Sequence, residues 1–258
     1  MTGKSRPRAF VTGARRGIGR AIAWALAEKG FDVAINDVVE DEAAAATLRG
    51  IAERGGRGVF LLGDIAALDQ HPGLVDGAFG AFGGLDVLVN NAGISVKRRG
   101  DMLDVTPESY DALMDTNLRG PFFLTQRIAR RWLAEESAPH PRSIINIASI
   151  NSRVVAVERA EYCLAKTGVS MMTELYASRL GEAGIAVFEI RPGVIRTDMT
   201  AVVKERYNRL IAEGMAPVRR WGEPEDIGRV AAALAKGDFH FSTGTAIHVD
   251  GGLHIHRV

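Results

Sequence analysis

Val11-Thr12-Gly13-Ala14-Arg15-Arg16-Gly17-Ile18-Gly19 decides how this chain is read. It closes an apolar run at 8–12 and opens an amphipathic one, in which Ile18, Ile22, Ala25 and Leu26 share a helical stripe away from Arg20, Glu28 and Lys29. A strand that passes through a glycine turn into a helix N-terminus is suited to bind an anion. The glycines admit a close backbone approach, and the unpaired N–H groups and positive dipole end stabilise a pyrophosphate. The spacing is Gly-x3-Gly-x-Gly rather than the commoner G-x-G-x-x-G, and a plain turn would use the same residues.

Beyond the turn, short apolar runs at 32–37, 58–62, 85–90, 143–148, 185–190 and 246–249 alternate with helical patterns. Most are apolar on both sides, as strands covered by helices on both faces must be. The pattern therefore predicts a doubly wound α/β fold around a seven-stranded parallel sheet. No Pro/Ser-rich linker or repeat divides the 258 residues, so one domain, 1–258, is expected. The segment 197–217 breaks the rhythm with a helical pattern, read either as a lid at the carboxyl edge of the sheet or as an ordinary surface hairpin.

Composition narrows the function classes. The 29 glycines are about 11% of the chain against a typical share of about 7%, without period or many prolines, so they serve turns and close approaches rather than a collagen-like or low-complexity chain. A net charge of +1 offers no electrostatic footprint for nucleic acid or an anionic membrane. Cys163 alone cannot form an intrachain disulfide, which fits a reducing compartment. The start, 1–8, is polar, and no apolar stretch approaches the roughly 18 residues of a membrane span. A cytoplasmic location is expected.

Asp37 ends the second strand, 24 residues after Gly13, near where a carboxylate binds adenosine ribose hydroxyls; the alternative is a helix N-cap. Such a carboxylate disfavours a 2′-phosphate, since two like charges about 4 Å apart cost roughly 4 kcal/mol at an effective dielectric near 20. NAD is therefore expected over NADP. Arg16 opposes this, because a guanidinium in the glycine turn could pair with that phosphate. Asp64, just past the third strand with Ile65 beside it, is placed to reach an adenine amino group or to act as a cap.

Tyr162-x3-Lys166 falls in a helical segment, 160–180, where the i, i+4 spacing puts both side chains on one face. A free tyrosine titrates near 10, and a neighbouring ammonium favours the phenolate. Such a pair can exchange a proton with a substrate oxygen while a cofactor moves hydride. The spacing alone also occurs by chance. Ser149, thirteen residues upstream, follows the fifth strand at a carboxyl end, where open α/β sheets bind ligands.

Together with Asn90-Asn91-Ala92-Gly93, Asn117, Pro192-Gly193 and Val249-Asp250-Gly251-Gly252, these motifs resemble the short-chain dehydrogenase/reductase family in its compact form. The resemblance covers nearly the whole chain and implies a three-layer Rossmann fold. It implies Tyr162 as acid/base, Lys166 lowering its pKa and holding the nicotinamide ribose, Ser149 hydrogen-bonding the substrate oxygen, and Asn117 positioning a water in a relay. Gly13, Arg16, Gly17, Ile18, Gly19, Asp37, Asp64, Ile65, Asn91, Ala92 and Gly93 would line the cofactor, with Tyr162, Lys166, Pro192, Gly193, Ile195 and Thr197 at its nicotinamide end. Ala148 stands where many relatives carry a second serine.

The expected activity is therefore an NAD(P)-dependent interconversion of a secondary alcohol and a ketone. The alternatives are a 3-oxoacyl-acyl-carrier-protein reductase using NADPH, or a dinucleotide-binding sensor without catalysis. A nucleotide-sugar epimerase would need a larger C-terminal part than the 92 residues after Lys166. Lys97-Arg98-Arg99-Gly100 could attract an anionic substrate such as a sugar acid, or be a solvated loop. Among six histidines, His254-x-His256 lacks a cysteine or acidic partner at a zinc spacing, so no metal is expected. Arg127, Arg130 and Arg131 lie on the helical stretch 106–136, where the family commonly builds an interface, which implies a homotetramer or homodimer. Cys163 points about 100° away from Tyr162 and is read as packing.

Overall fold

Residues that alternate above and below a sheet, all of them apolar, need cover on both sides, and the computed structural model supplies it. It describes residues 5–201 and 204–256. Residues 1–4 of the polar start, 202 and 203 of the segment 197–217, and 257–258 lie outside the described residues. The strands are β1 (Arg8–Thr12), β2 (Asp32–Asp37), β3 (Gly58–Leu62), β4 (Val87–Asn90), β5 (Arg142–Ile147), β6 (Ile185–Pro192) and β7 (Ala246–Val249). They pair in the order β3-β2-β1-β4-β5-β6-β7, and every pair is parallel. This is the doubly wound, three-layer Rossmann arrangement.

Four strand ends, on three strands, differ from the sequence reading. The fourth starts at Val87 rather than 85, because the Asp86 carboxylate turns to take Arg8 Nε and Nη2 at 2.8 and 2.9 Å. The fifth runs 142–147, and the sixth continues to Pro192, where Pro192 still pairs in register with Val249.

On one face lie α1 (Gly17–Glu28), α2 (Glu42–Glu53) and α9 (Pro224–Ala235), where Ile22, Leu26, Ile227 and Ala231 pack on Ala9, Val11, Val33 and Ile35. On the other lie α3 (His71–Phe82), α5 (Gly120–Leu133) and α6 (Ala160–Leu180), where Leu74, Leu124, Ile128, Trp132 and Leu180 pack on Phe10, Leu88, Ile144 and Val187. Adjacent residues Ala9, Phe10 and Val11 thus enter opposite cores, as a period of two requires.

Strand order reverses beside β1, whose neighbours are β2 and β4, so a crevice opens at the carboxyl ends there. That edge is cross-linked by amide side chains. Asn90 Nδ2 donates to Asn146 Oδ1 at 2.8 Å and to Thr125 Oγ1 of α5 at 2.9 Å, and Asn146 Nδ2 donates to Thr173 Oγ1 of α6 at 2.9 Å. The helical stretch expected over 106–136 is α4 (Pro107–Met114), a π turn at Asp115–Arg119, and α5. The segment 197–217 holds α7 (Asp198–Ala201) and α8 (Lys204–Ala212).

Candidate active site

The glycine turn is held to the end of β4. Thr12 Oγ1 accepts from the N–H groups of Asn91 and Ala92 at 3.1 and 3.0 Å, and Asn91 Nδ2 donates to the carbonyls of Thr12 and Gly13 at 2.8 and 2.9 Å. Gly13 and Gly17 have φ of +62° and +59°, a region that L side chains rarely adopt. Their surroundings differ. A Cβ on Gly13 would meet Ala92 Cα at 2.7 Å and one on Gly19 would meet Gly13 O at 2.3 Å, so these two are required by the protein's own packing. Gly17, followed by Ile18 at the head of α1, is less crowded: among the described residues its Cβ would meet only Thr197 Cγ2, at an ordinary contact distance of 3.7 Å, so its positive φ rather than packing calls for glycine.

Asp37 lies at the end of β2 beside this turn, its side chain 17% exposed. Its Oδ1 accepts from Val38 N at 2.9 Å, and the guanidinium facing it is that of Arg15, at 3.8 Å, which also pairs with Asp41. Arg16 points elsewhere, to Asp198 of α7 at 2.7 Å. The sequence reading considers only Arg16 as the turn's guanidinium; it is Arg15 that folds back onto Asp37. Asp64 takes the cap reading in part: its Oδ1 accepts from Ala66 N at 2.8 Å. Ile65 is buried, and its carbonyl meets His71 Nε2 at 2.8 Å.

Past the sheet edge, Ser149 caps the turn at Ile150–Ser152, its Oγ accepting from Asn151 N at 3.1 Å. Tyr162 and Lys166 lie one turn apart on α6, both buried, with Lys166 Nζ 5.8 Å from the tyrosine ring centroid. Lys166 Nζ donates to Ile147 O at 2.9 Å. Burial pushes its pKa down to about 8, opposed by Glu189. Burial pushes the Tyr162 phenol up, opposed by the Arg159 guanidinium and the Ser149 hydroxyl. Beneath them Glu189 is held by Arg191 Nε and Ser170 Oγ, each at 2.7 Å.

Asn117 lies in the π turn, a local widening that often marks functional positions. Its amide is paired with Ile94, accepting from the N–H at 2.8 Å and donating to the carbonyl at 2.9 Å. A Cβ on Gly93 would come within 3.0 Å of Asn117 Oδ1 and 3.5 Å of Lys166 Nζ. The absent side chain lets Asn117 Oδ1 and Lys166 Nζ come close to the Gly93 backbone. Gly193 packs on Asp250 Cα, Ile195 is buried, and Thr197 N donates to Thr200 Oγ1 at 3.0 Å, so the Pro192–Thr197 loop faces the glycine turn across the crevice.

Two readings change. An acidic partner does stand among the histidines: Asp250 Oδ2 lies 2.8 Å from His254 Nδ1 and 3.6 Å from His248 Nδ1, and the two rings stack at 3.9 Å, while His256 takes no part. That carboxylate also accepts from Gly252 N and His254 N, so it shapes the C-terminal turn. Burial and the adjoining His254 lower the His248 pKa. Second, Arg99 is not a free cation of a solvated loop, since it and Arg206 of α8 both pair with Glu158, at 2.6 and 3.0 Å. Sequence reasoning missed Arg159, whose guanidinium carbon lies 4.8 Å over the Tyr162 ring. Its one signal was a basic residue three positions before the tyrosine.

The comparisons with known proteins agree with this geometry. The family model described as enoyl-(acyl carrier protein) reductase matches residues 13–254. The 3-oxoacyl-[acyl-carrier-protein] reductase FabG of Staphylococcus aureus is 35% identical over 247 residues, 96% of this chain and 98% of that one. The 3beta-hydroxysteroid dehydrogenase 1 of Eggerthella lenta is 33% identical over 244 residues, covering 94% and 92%. Among solved structures, a 3-oxoacyl-[acyl-carrier protein] reductase from Brucella melitensis in complex with NAD superposes with a TM-score of 0.96 at 49% identity, over 99% of this chain and 100% of that one. A seven-stranded parallel sheet, a glycine turn tied to Asn91 and a tyrosine and lysine one turn apart identify the chain as a member of the short-chain dehydrogenase/reductase family, an NAD(P)-dependent oxidoreductase acting on CH–OH groups.

Proposed function

We propose that the protein interconverts a secondary alcohol and a ketone with NAD, through Ser149, Tyr162, Lys166 and Asn117. The observation that carries this is the convergence of buried Ser149, Tyr162 and Lys166 at the carboxyl edge, beside Gly93. The glycine turn and the lysine beside Gly93 fit a dinucleotide stretched across the switch point. Gly13 through Gly19, Asn91, Ala92 and Gly93 would hold it, with the 192–197 loop at the nicotinamide end. When bound, the nicotinamide gives or accepts hydride.

The protein's own residues handle the proton. Tyr162 O–H donates to the ketone oxygen in reduction and receives a proton from the alcohol in oxidation, while Ser149 Oγ holds that oxygen. Lys166 keeps two N–H donors beyond the one on Ile147 O, enough for ribose hydroxyls and for charge near the phenol. Asn117 has its amide committed to Ile94, so a relay water would rest on its main-chain carbonyl.

NAD is favoured because two carboxylates, Asp37 and Asp41, stand beside the adenosine end and engage Arg15, the cation nearest to it among the described residues. The reductase reading with NADPH lacks such support at this end. A sensor would not need the buried Ser149, Tyr162 and Lys166. The segment 197–217 acts as the lid of a single domain, its α7 tied to the glycine turn by Arg16 and Asp198. A homo-oligomer is supported by the exposed Leu164, Met171 and Leu175 along α6. The deciding experiment is Tyr162→Phe. Turnover should fall by roughly a thousandfold or more, read by nicotinamide absorbance across a panel of alcohols and ketones, with dinucleotide affinity within a few-fold. Retained turnover would sink the assignment.

A further inference from the structure

We infer that Arg159, positioned by Asn151, forms a carboxylate-binding subsite beside the reacting oxygen, so that the substrate is a hydroxy or oxo acid rather than a neutral alcohol or thioester. The inference rests on the oxidoreductase reading above and names its substrate class.

Arg159 stands at the catalytic centre. Its guanidinium lies over the Tyr162 ring, 4.8 Å from the centroid, and its Nη2 donates to Asn151 Oδ1. Asn151 belongs to the turn that Ser149 caps, and its N–H donates to Ser149 Oγ at 3.1 Å. Asn151 Nδ2 is itself fixed on Val154 O at 2.8 Å. One short chain of hydrogen bonds therefore sets the cation relative to both groups that would touch the substrate oxygen.

Arg159 also has donors to spare. Its Nε is buried without a hydrogen-bond partner, and among the described residues no carboxylate pairs with it. A guanidinium presents five N–H donors in a fork matched to a carboxylate, and a buried donor left unmade is unfavourable, so this arrangement is suited to an incoming acceptor. The nearby acids turn to other groups: Glu158 takes both Arg99 and Arg206, and Glu161 accepts from Ser109 Oγ of α4 at 2.8 Å on one oxygen, the other being buried without a hydrogen-bond partner. Arg99 and Arg206 thus share Glu158, and Arg159 has no carboxylate of its own among the described residues.

The position matches the side from which substrate must come. Glu158 joins the loop after β4, through Arg99, to α8 through Arg206, and its carbonyl accepts from Gly100 N at 3.3 Å. Arg159 is the next residue, so it sits where the loop, the lid and the catalytic turn meet. A carboxylate one to three carbons from the reacting carbon would reach it. A neutral acyl thioester would leave the cation unanswered.

The test compares hydroxy acids with their methyl esters as NAD-linked substrates: lactate, 3-hydroxybutyrate, 4-hydroxypentanoate and gluconate. In the wild type at least one acid should exceed its ester by about tenfold or more in kcat/KM, and Arg159→Gln, which retains a donor for Asn151, should erase that preference while Arg159→Lys keeps part of it. Esters used as well as acids, or an acid preference unchanged in Arg159→Gln, would overturn the inference and leave the oxidoreductase reading intact. Thermal unfolding with NAD present supplies a readout independent of turnover. Butyrate, but not butyramide, should raise the Tm of the wild type and not of Arg159→Gln. No response of the wild type, or equal responses of both proteins, refutes the subsite. Absence of any turnover, with the butyrate response present, would instead count against the reaction.

Discussion

Replacing Lys166 by Met removes a cation that the fold holds at a cost, and the size of that cost can be worked out. Burial lowers the lysine from 10.5 to about 8, so the unfolded chain binds the proton more tightly. The sign follows from proton counts. Below about pH 8 both states are protonated and the full penalty is present; as pH rises towards 10.5 the folded lysine is neutral while the unfolded one is still charged, and the penalty is progressively relieved. A shift of 2.5 corresponds to about 3 kcal/mol at neutral pH, of which about 2.5 kcal/mol is relieved by pH 10. The lost hydrogen bond to Ile147 O affects both pH values alike, so the difference isolates the proton. Urea unfolding of wild type and Lys166→Met, followed by circular dichroism at pH 7 and pH 10 without cofactor, reads it. The variant's stability relative to wild type should fall by about 2.5 kcal/mol between the two. A difference below about 0.5 kcal/mol would mean that the buried ammonium titrates as if in water, and the reasoning would fail.

Three further substitutions probe other parts of the site. Asp37→Ala should move the NAD to NADP affinity ratio towards NADP by roughly tenfold to a hundredfold at low salt, measured by fluorescence titration, and an unchanged ratio removes Asp37 from the ribose end. Gly19→Ala should destabilise by about 1–3 kcal/mol in denaturant unfolding and weaken dinucleotide binding, because its methyl would stand 2.3 Å from Gly13 O. Wild-type stability would show that the turn can shift. Glu189→Ala leaves Arg191 buried without its carboxylate and should cost about 3–5 kcal/mol; a loss under about 1 kcal/mol would show that solvent reaches the pair.

Much of this architecture is written in short-range pattern. The apolar runs at 8–12, 32–37, 58–62 and 246–249 are strands with those bounds, because each is a short β-type run that ends at a turn residue or a charge. The ends that shifted depend on distant partners: β4 gives up Asp86 to Arg8, 78 residues away in the chain. The same limit applies to the site. Tyr162, Lys166 and Ser149 could be read because an i, i+4 pair and a strand end are local facts. The approach of Arg15 to Asp37, the π turn at Asn117, and Arg159 lying on the tyrosine ring are set by tertiary packing that adjacent residues do not encode. The histidines were misjudged for the same reason, since Asp250 meets His248 and His254 only after the chain turns at Gly251 and Gly252.

The amide ladder from Asn90 through Asn146 to Thr173 has a consequence for how such a protein can change over generations. It fastens α6, and with it Tyr162 and Lys166, to the sheet edge by contacts that involve neither the 94–100 loop nor α7 and α8. Insertions or substitutions in those outer segments can therefore alter which molecule is admitted while the proton-handling pair stays in place. The chemistry and the choice of molecule are separately heritable, so a lineage can acquire a new substrate without rebuilding its catalyst.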